Sequence, residues 1–477
     1  MIRIALFLVA VLATVAQADV VEIASVRELA DYAAKSGNTV RMKPGVYRMS
    51  DYLTDDVVAQ VRKDVPTDSK TRPPVWMIRF TGSDNRFELR DVVLEIETDL
   101  YRKLPRGYTR CLFIPGNKNV IDGLTIRNTG PNQGSNGNIL SIFGDGNRLE
   151  NVTLHVHGSS PYGYGDLLGK GGPNLIGLQK QSGIMLAGRD NTLRRCKVIS
   201  RAFGHCFYIQ QPPGITTDNI TLEDCYAEGV MRPTADMLRE TDGPLAKLNF
   251  RTIAENRDGR FLVVPGYMKA LGEDGFRTYG GTGRITLTNC TAVNTRAGFE
   301  IAGPDDGKEK TVIDGGTALG CERAYLIGSN TIVRSSRGDT KYGPLLYLRG
   351  GRDSDVELEL TGEGSDYTVH ALATIAGEGH RVRLFTRESD RIAPSVPIFL
   401  GFGMPANAEM ASPIRPAPAK GVRLVNELPR FNVIRGAEAV DCTIEAAGAV
   451  LADEEVKALP GRPSTAPSTR PATSPAK

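Results

Sequence analysis

The sequence predicts an all-β solenoid, a parallel β-helix, and two observations lead to that prediction. A short apolar strand that ends at a glycine recurs along the chain, as in "LFIPG", "LSIFG", "IMLAG", "FEIAG" and "LYLRG". A polar turn and a second strand follow most of these, as in "NVIDGLTI" and "RITLTNCTA", so that one cycle takes about twenty to thirty residues. Strands this short cannot bury both faces alone, so each coil has to stack on its neighbours.

The N-terminal 18 residues have the pattern of a cleaved secretory signal. The start "MIRIALFLVAVLATVAQADV" contains a basic residue, an apolar run and a small-residue Ala-Gln-Ala site. No other stretch approaches a membrane-length apolar run. We therefore expect cleavage near Ala18, export to the periplasm or beyond the cell, no membrane span, and a β-helix domain over residues 19–458.

The first element of the mature chain is predicted to be a capping helix. Ser25 and Glu28 form a Ser-x-x-Glu capping box at the start of "VRELADYAAKSG". The phrase "TVRMKPGVYRM" then begins the first strand layer. A helix is thus expected to close the N-terminal end of the stack.

This opening and the stacked coils resemble the right-handed parallel β-helix proteins of the pectin-lyase-like superfamily, over roughly residues 36–445. The resemblance implies a right-handed β-helix with a polysaccharide as partner. It does not select a reaction, because the superfamily contains lyases, hydrolases, uronan epimerases and non-catalytic adhesins. No subfamily motif matches: "GHC" is only a fragment of the polygalacturonase set, and the Asp-Pro-His-Asp motif of alginate epimerases is missing.

Charge and cysteine content narrow the possible partners. The net charge of +3, with both signs mixed along the chain, argues against a nucleic-acid binder. No metal ligands are predicted, although lyases of this fold often use Ca²⁺, so the cofactor stays open, as does the oligomeric state. Cys196, Cys225 and Cys290 recur in one phrase, "LRRCKV", "LEDCYA" and "LTNCTA", which predicts stacked, buried thiols instead of a disulfide framework.

Two insertions and a tail interrupt the repeat. The first insertion, 157–181, is rich in glycine, and the second, 231–273, is longer. Insertions in a solenoid leave from corners and gather on one face, often the binding face. The segment 459–477 is rich in Pro, Ser and Thr and is predicted to be disordered.

Alternation along the strands separates buried from outward positions. With the coils aligned on their terminal glycine, two buried columns are expected: Ile184, Phe207, Phe276 and Phe299, and beside them Leu186, Ile209, Thr278 and Ile301. Two outward columns are expected to face solvent: Met185, Tyr208, Arg277 and Glu300, continuing to Tyr325 and Tyr347, and Ala187, Gln210, Tyr279, Ala302 and Arg349. A slip of one residue would reverse these assignments.

The outward columns place one ionisable cluster beside the longer insertion. The predicted catalytic residues are His205, Tyr208, Arg277, Tyr279 and Glu300. The predicted substrate-binding residues are Gln210, Glu273, Asp274, Tyr162 and Tyr164. Aromatic faces stack on sugar rings and arginine pairs with carboxylates, which is why these residue types suit an acidic glycan.

His205 is a candidate general base because imidazole is a common base in enzymes, but it is also compatible with a corner histidine bonded to a neighbouring coil. His155 and His157 are alternative bases. The other charged residues of the longer insertion are mostly expected to form a solvated surface.

The main functional hypothesis is a lyase that cleaves a uronate-containing polysaccharide by β-elimination. Arg277 would neutralise the uronate carboxylate, and His205, Tyr208 or Tyr279 would remove the C5 proton. A glycoside hydrolase is an alternative, with Glu300 paired to Asp274 or Glu273. A non-catalytic glycan-binding or adhesin β-helix is the other alternative.

Overall fold

The computed structural model describes residues 20–65, 74–105, 107–132, 136–167, 178–242, 265–362, 367–388, 396–403 and 414–453. The predicted signal segment, the end of the β-helix domain after 453 and the tail at 459–477 lie outside the described residues. So do the central parts of both insertions, at 168–177 and 243–264.

The predicted parallel β-helix is confirmed. In the described residues, the strands form two long sheets whose neighbouring strands run parallel and come from successive coils. The larger sheet has 22 strands: Val20–Ile23, Thr39–Met42, Gly45–Arg48, Arg86–Glu88, Val92–Glu97, Val120–Asp122, Thr125–Thr129, Arg148–Glu150, Thr153–Val156, Thr192–Arg194, Lys197–Ser200, Ile220–Glu223, Tyr226–Glu228, Ile285–Thr288, Thr291–Val293, Thr311–Asp314, Thr317–Leu319, Thr331–Gly338, Asp355–Leu360, Arg381–Phe385, Arg423–Asn426 and Thr443–Ala446.

The second sheet, which we call the groove sheet, has 15 strands: Pro74–Arg79, Tyr108–Ile114, Gly137–Ile142, Gln181–Leu186, Phe207–Ile209, Phe276–Thr278, Ala297–Ile301, Arg323–Ile327, Leu346–Arg352, Ala373–Glu378, Ile398–Leu400, Ala419–Lys420, Val433–Arg435, Ala439–Val440 and Val450–Ala452. Two short hairpins pair Met231–Pro233 with Met268–Ala270 and Phe402–Gly403 with Arg415–Pro416.

The capping helix forms where the sequence predicts it, over Val26–Ala33. The Ser25 hydroxyl oxygen accepts from the Glu28 backbone N–H at 3.2 Å, and the Glu28 carboxylate accepts from the Ala24 N–H at 2.9 Å. The helix buries Val26, Leu29 and Ala33 at the end of the stack. The described residues contain two further helices, Asp55–Asp64 and Thr234–Leu238, and 3₁₀ turns at Met49–Asp51 and Thr98–Arg102. None of the helices in the described part is long and apolar enough to cross a membrane.

Strand register confirms the inner columns. Ile184 pairs with Phe207, Phe207 with Phe276, and Phe276 with Phe299. The phenylalanine rings lie stacked at centroid distances of 5.0 and 5.1 Å. Tyr325 continues this inner stack at 5.1 Å from Phe299, so its predicted outward position is wrong. The phrase "YLIG" has one residue fewer before its glycine, and the glycine alignment therefore slipped by one position there.

The expectation that the first outward column faces solvent is also wrong. Met185, Tyr208, Glu300 and Tyr347 point away from the core, yet each is buried. Segments outside the strands cover them: Ile414, for example, packs against Tyr347. The outward face of the groove sheet is therefore a second packed layer, with solvent access confined to part of it.

A ladder of asparagines closes one corner of the N-terminal coils. Each asparagine side-chain oxygen accepts from the backbone N–H of the asparagine one coil earlier, at 2.7–3.2 Å: Asn85 from Asn38, Asn119 from Asn85, Asn147 from Asn119 and Asn191 from Asn147. Four of these five residues are buried, so the ladder satisfies backbone groups that water cannot reach.

The cysteines are free thiols, and six of the seven are buried. Cys196, Cys225 and Cys290 precede paired strands of the larger sheet, which puts them in one column. Each thiol lies 3.6–3.7 Å from a carbonyl oxygen of the preceding coil. Burial raises the pKa of the Cys196 and Cys225 thiols well above the ordinary value, which keeps them protonated and unreactive.

We predict that native protein labels at Cys442 alone with a thiol reagent, because Cys442 is the one cysteine that is not fully buried. Unfolded protein should label at all seven cysteines. Peptide mapping after a short native exposure measures this. Rapid native labelling of Cys196, Cys225 and Cys290 would contradict the stacked arrangement.

Candidate active site

Three adjacent strands of the groove sheet carry the central side chains of the site. The register pairs Tyr208 with Arg277 and Arg277 with Glu300. His205 precedes the first of these strands, and Tyr279 follows the second. The structure thus brings together all five residues predicted to be catalytic.

His205 lies at the centre of a hydrogen-bonded chain. Its Nε2 is 2.8 Å from the Tyr279 hydroxyl, and its Nδ1 is 3.2 Å from Asp274 Oδ2. The imidazole is 6 % exposed, whereas Tyr279 is partly open to solvent. In the tautomer with the proton on Nδ1, that proton is directed at the Asp274 carboxylate, and Nε2 can accept the hydroxyl proton of Tyr279. Nε2 also lies 3.4 Å from Glu273 Oε2. The two interpretations of His205, a general base and a corner histidine bonded to a neighbouring coil, are therefore compatible. The neighbouring coil to which it bonds is the one that carries Tyr279.

Tyr208 forms a wall of the site and is a poor base. Its hydroxyl donates to Asn138 Oδ1 at 2.7 Å and lies 3.1 Å from the Tyr108 hydroxyl. Its ring packs against His205, with centroids 5.4 Å apart. Burial raises the pKa of Tyr208 well above its ordinary value, so its proton stays in place.

Glu273 and Asp274 are buried members of an ionic cluster. Burial by itself would raise the pKa of both carboxyls, but nearby positive charges outweigh it. The charge of a protonated His205, together with Lys180 and Arg296, lowers the pKa of Glu273 to about 2. Arg296 and His205 also hold the pKa of Asp274 well below its ordinary value. Arg296 grips Asp274 with two parallel hydrogen bonds of 3.0 and 2.9 Å. Both carboxylates are engaged inside the protein, and their contact with substrate stays a prediction.

Arg277 connects this cluster to the open side of the site. Its guanidinium contacts Glu300, lies 3.5 Å from Asp274 Oδ2, and sits 4.7 Å from the centre of the Tyr279 ring. The side chain is 18 % exposed. Arg349, further along the groove sheet, is 3.7 Å from Glu300. Arg277 and Arg349 therefore share the Glu300 carboxylate on the solvent side of the site.

Arg296 was not among the residues predicted from the sequence to belong to the site, and Lys269 is not solvated as most charges of its insertion were expected to be. Lys269 was expected among the solvated charges of the longer insertion, but it is fully buried, 2.5 Å from Asp166 and 3.2 Å from Glu322. The hairpin that includes Met268–Ala270 carries it inward. For Arg296 a signal existed: in "NTRAGFE" it stands four residues before Glu300, at the start of the same strand.

Tyr162 and Tyr164 join the two insertions to each other. Tyr164 is buried in a small cluster with Met237 and Leu271, and Tyr162 packs against that cluster. Burial raises the pKa of Tyr162 to about 12. These positions favour a packing role for both rings over the predicted contact with substrate.

Gln210 follows the strand Phe207–Ile209 and is partly exposed beside the site, where it stays a predicted substrate contact. His155 lies in a strand of the larger sheet, and His157 follows that strand. Both alternative bases are thus outside the groove sheet.

The carboxylates of the site do not fit a metal ion, because each already faces a cationic side chain. Glu273 is 2.9 Å from Lys180, Asp274 is bound by Arg296, and Glu300 contacts Arg277. Within the described ranges, no group of three or more His, Cys, Asp or Glu side chains is arranged to hold a metal.

Comparison with solved structures finds similarity to polysaccharide lyases. A mannuronic-acid-specific family 6 lyase from human gut microbiota is 10 % identical, with 89 % of this chain and 82 % of that chain covered and a TM-score of 0.45. A family 6 alginate lyase bound to a trisaccharide is 13 % identical, covering 91 % and 86 %, at a TM-score of 0.43. A streptococcal surface adhesin is 7 % identical, covering 84 % and 89 %, at 0.35. No family model and no curated protein matches the chain. Enzymes and an adhesin are thus both among the similar structures, and such values carry no information about activity.

We predict that Arg296→Ala lowers the free energy of unfolding by about 3–5 kcal/mol, because it leaves buried carboxylates without their partner. Arg284→Ala is the matched control, since its ion pair with Glu309 is exposed and contributes at most about 1 kcal/mol. Denaturant titration of both variants measures the difference. Equal stabilities would show that the buried cluster is not held by Arg296.

We also predict an acid-dependent loss of stability from Glu273. Its folded pKa of about 2 is below its ordinary value of 4.5, so its contribution is complete above about pH 5 and is lost as the pH falls towards 2. Glu273→Gln should be less stable than wild type at pH 7, and the two stability curves should converge on acidification. Parallel curves would contradict this assignment.

Proposed function

We propose that this chain cleaves a uronate-containing polysaccharide by β-elimination and that Tyr279 is the group that touches the reacting sugar. One observation carries the proposal: a partly exposed tyrosine hydroxyl is bonded to a buried histidine, which a buried aspartate orients, directly beside an arginine. The predicted signal segment supports export, which would place the enzyme where such polymers occur.

Elimination needs three functions, and the site offers a residue for each. The uronate carboxylate has to be neutralised so that the C5 proton becomes acidic, and Arg277 is placed to pair with it. A base has to take the C5 proton, and an acid has to protonate the leaving oxygen on C4. Tyr279 and His205 together supply both.

Tyr279 and His205 account for every proton that moves in the reaction. The Tyr279 oxygen takes the C5 proton while its own proton passes to His205 Nε2. The C4–O bond then breaks, a C4=C5 double bond forms, and the proton held by His205 returns through Tyr279 to the leaving oxygen. Asp274 stabilises the transient imidazolium, as a buried aspartate does in a catalytic triad. Burial raises the pKa of Tyr279, so it starts protonated and relies on His205 to accept.

The state of the carboxyls disfavours the hydrolase alternative. A glycosidase needs one carboxyl with a raised pKa to act as general acid. Here the pKa of Glu273 and that of Asp274 are both lowered, so neither holds a proton at neutral pH. Glu300, the other member of the proposed pair, contacts Arg277 and lies 3.9 Å from Arg296, so its carboxylate is ion-paired. This supports elimination over hydrolysis.

The free energy needed to bury the ionic cluster disfavours the adhesin alternative. Buried ion pairs contribute little net stability, and clusters of perturbed ionisable groups concentrate at catalytic sites. A glycan-binding face needs exposed rings and hydrogen-bonding groups and gains nothing from a buried Asp274–His205 pair.

The reaction is tested by incubating the protein with a panel of acidic and neutral polysaccharides. Elimination predicts new ultraviolet-absorbing unsaturated ends on uronate polymers. New reducing ends without that absorbance would establish hydrolysis instead, and no change on any polymer would contradict both.

We predict that Tyr279→Phe and His205→Gln each lower kcat/KM by at least about a hundredfold on the polymer that wild type cleaves, because either change interrupts the proton path. Arg277→Ala should remove a few kcal/mol of transition-state stabilisation and so lower kcat/KM, and Arg277→Lys should recover part of the lost kcat/KM. Arg381→Ala, an exposed arginine of the larger sheet, is the control. Circular dichroism verifies folding. Wild-type rates in folded Tyr279→Phe and His205→Gln would move the chemistry elsewhere.

A further inference from the structure

A second cluster of arginines and aromatic rings lies on the N-terminal coils of the groove sheet. The strands Pro74–Arg79 and Tyr108–Ile114 are neighbours, with Trp76 paired to Arg110 and Arg79 paired to Phe113. Phe143 follows the next strand of the sheet. We call Trp76, Arg79, Arg110, Phe113 and Phe143 the aromatic–arginine platform.

The two guanidinium groups of the platform lie over ring faces. Arg79 is 4.8 Å from the centre of the Trp76 ring, and Arg110 is 4.4 Å from that of Phe143. Phe113 links them: its centroid is 6.3 Å from that of Trp76 and 5.1 Å from that of Phe143. The rings thereby orient the two arginines through the faces of the guanidinium groups, and the N–H groups at the guanidinium edges do not take part in these contacts.

The platform carries positive charge that the protein does not neutralise. In the described part of the chain, neither Arg79 nor Arg110 has a carboxylate within ion-pair distance, in contrast to Arg277 and Arg296. Burial lowers the pKa of Arg110, and its Nε is buried with no hydrogen-bond partner among the described residues. Desolvating a cation without a partner is costly, so the arrangement favours an anion from outside.

The platform lies near the candidate active site and is connected to it through packed tyrosine side chains. The Arg110 guanidinium is 5.9 Å from the Tyr108 ring centre, and the Tyr108 hydroxyl is 3.1 Å from that of Tyr208. Three strand steps separate the strand of Arg110 from that of Tyr208, which is about 14 Å. A sugar chain only a few units long spans that distance.

We propose that the aromatic–arginine platform is a binding subsite for carboxylate-bearing sugars of a polysaccharide that extends along the groove sheet. Trp76 offers a partly exposed ring face for stacking on a sugar, and Arg79 and Arg110 offer paired N–H donors to carboxylates. The identity of the polymer rests on the proposed function, whereas the binding does not depend on catalysis.

Trp76 makes the test specific, because it is the single tryptophan of the chain. Its fluorescence is titrated in the full-length Tyr279→Phe variant with alginate and polygalacturonate oligomers, and with the same oligomers after reduction of their carboxylates to alcohols. We expect a saturable fluorescence change with at least one acidic oligomer and at least tenfold weaker binding of its reduced form.

In the same background, Arg79→Ala and Arg110→Ala should each weaken binding about tenfold, since each removes a charge-assisted contact. Arg381→Ala should leave it unchanged. Saturable binding without a fluorescence change, equal affinity for the reduced oligomer, or wild-type affinity in both arginine variants would each overturn the proposal. If wild type cleaves no polymer but the titration behaves as expected, the proposed function is wrong and the platform is supported. If wild type cleaves a polymer but the titration shows no fluorescence change, the proposed function is supported and the platform proposal is wrong.

Discussion

The backbone ladder between successive coils is the constraint on which the rest of the structure depends. The strands in the described residues are too short to form a core of their own. Each coil therefore obtains its hydrogen bonds and its core contacts from the coils on either side. The ladder fixes register, and register places equivalent positions in columns. The phenylalanine stack, the asparagine ladder and the column of thiols are three results of that single constraint.

The same constraint governs charge. A charged residue in an outward column meets the side chains at its own position one coil before and one coil after. Arg277 thus lies between Tyr208 and Glu300 because the register pairs it with both. Arg296 then supplies Asp274 with a second cation from the following coil. The charges of the site are paired within the protein, and the partly exposed Tyr279 hydroxyl is the group that we propose to contact substrate.

Features that repeat could be predicted from the sequence, and features that depend on one-off contacts could not. The inner columns followed from alternation and terminal glycines, and the adjacency of His205, Arg277 and Tyr279 followed with them. Tyr325 was misplaced because its coil is one residue short, a local change that periodicity cannot show.

The covering of the outward face, the burial of Lys269 and the packing of Tyr164 all come from segments outside the two long sheets. These contacts join residues far apart in sequence and have no periodic signature. The composition of an insertion rich in charged residues predicts a solvated surface. The hairpin that pairs Met231–Pro233 with Met268–Ala270 nevertheless buries Lys269 fully.

A solenoid presents its strands at constant spacing, and a polysaccharide presents its units at constant spacing too. Two sites on one sheet can therefore engage one chain without distortion of either partner. On the proposals made here, the N-terminal coils would supply affinity through Trp76 and unneutralised arginines, while the His205 coil would supply chemistry with its charges already balanced. That division is physically sensible, because binding energy gained away from the reacting sugar can be spent on orienting it against Tyr279. It also gives the polymer a direction, since the uncompensated charge lies on one side of the reacting group.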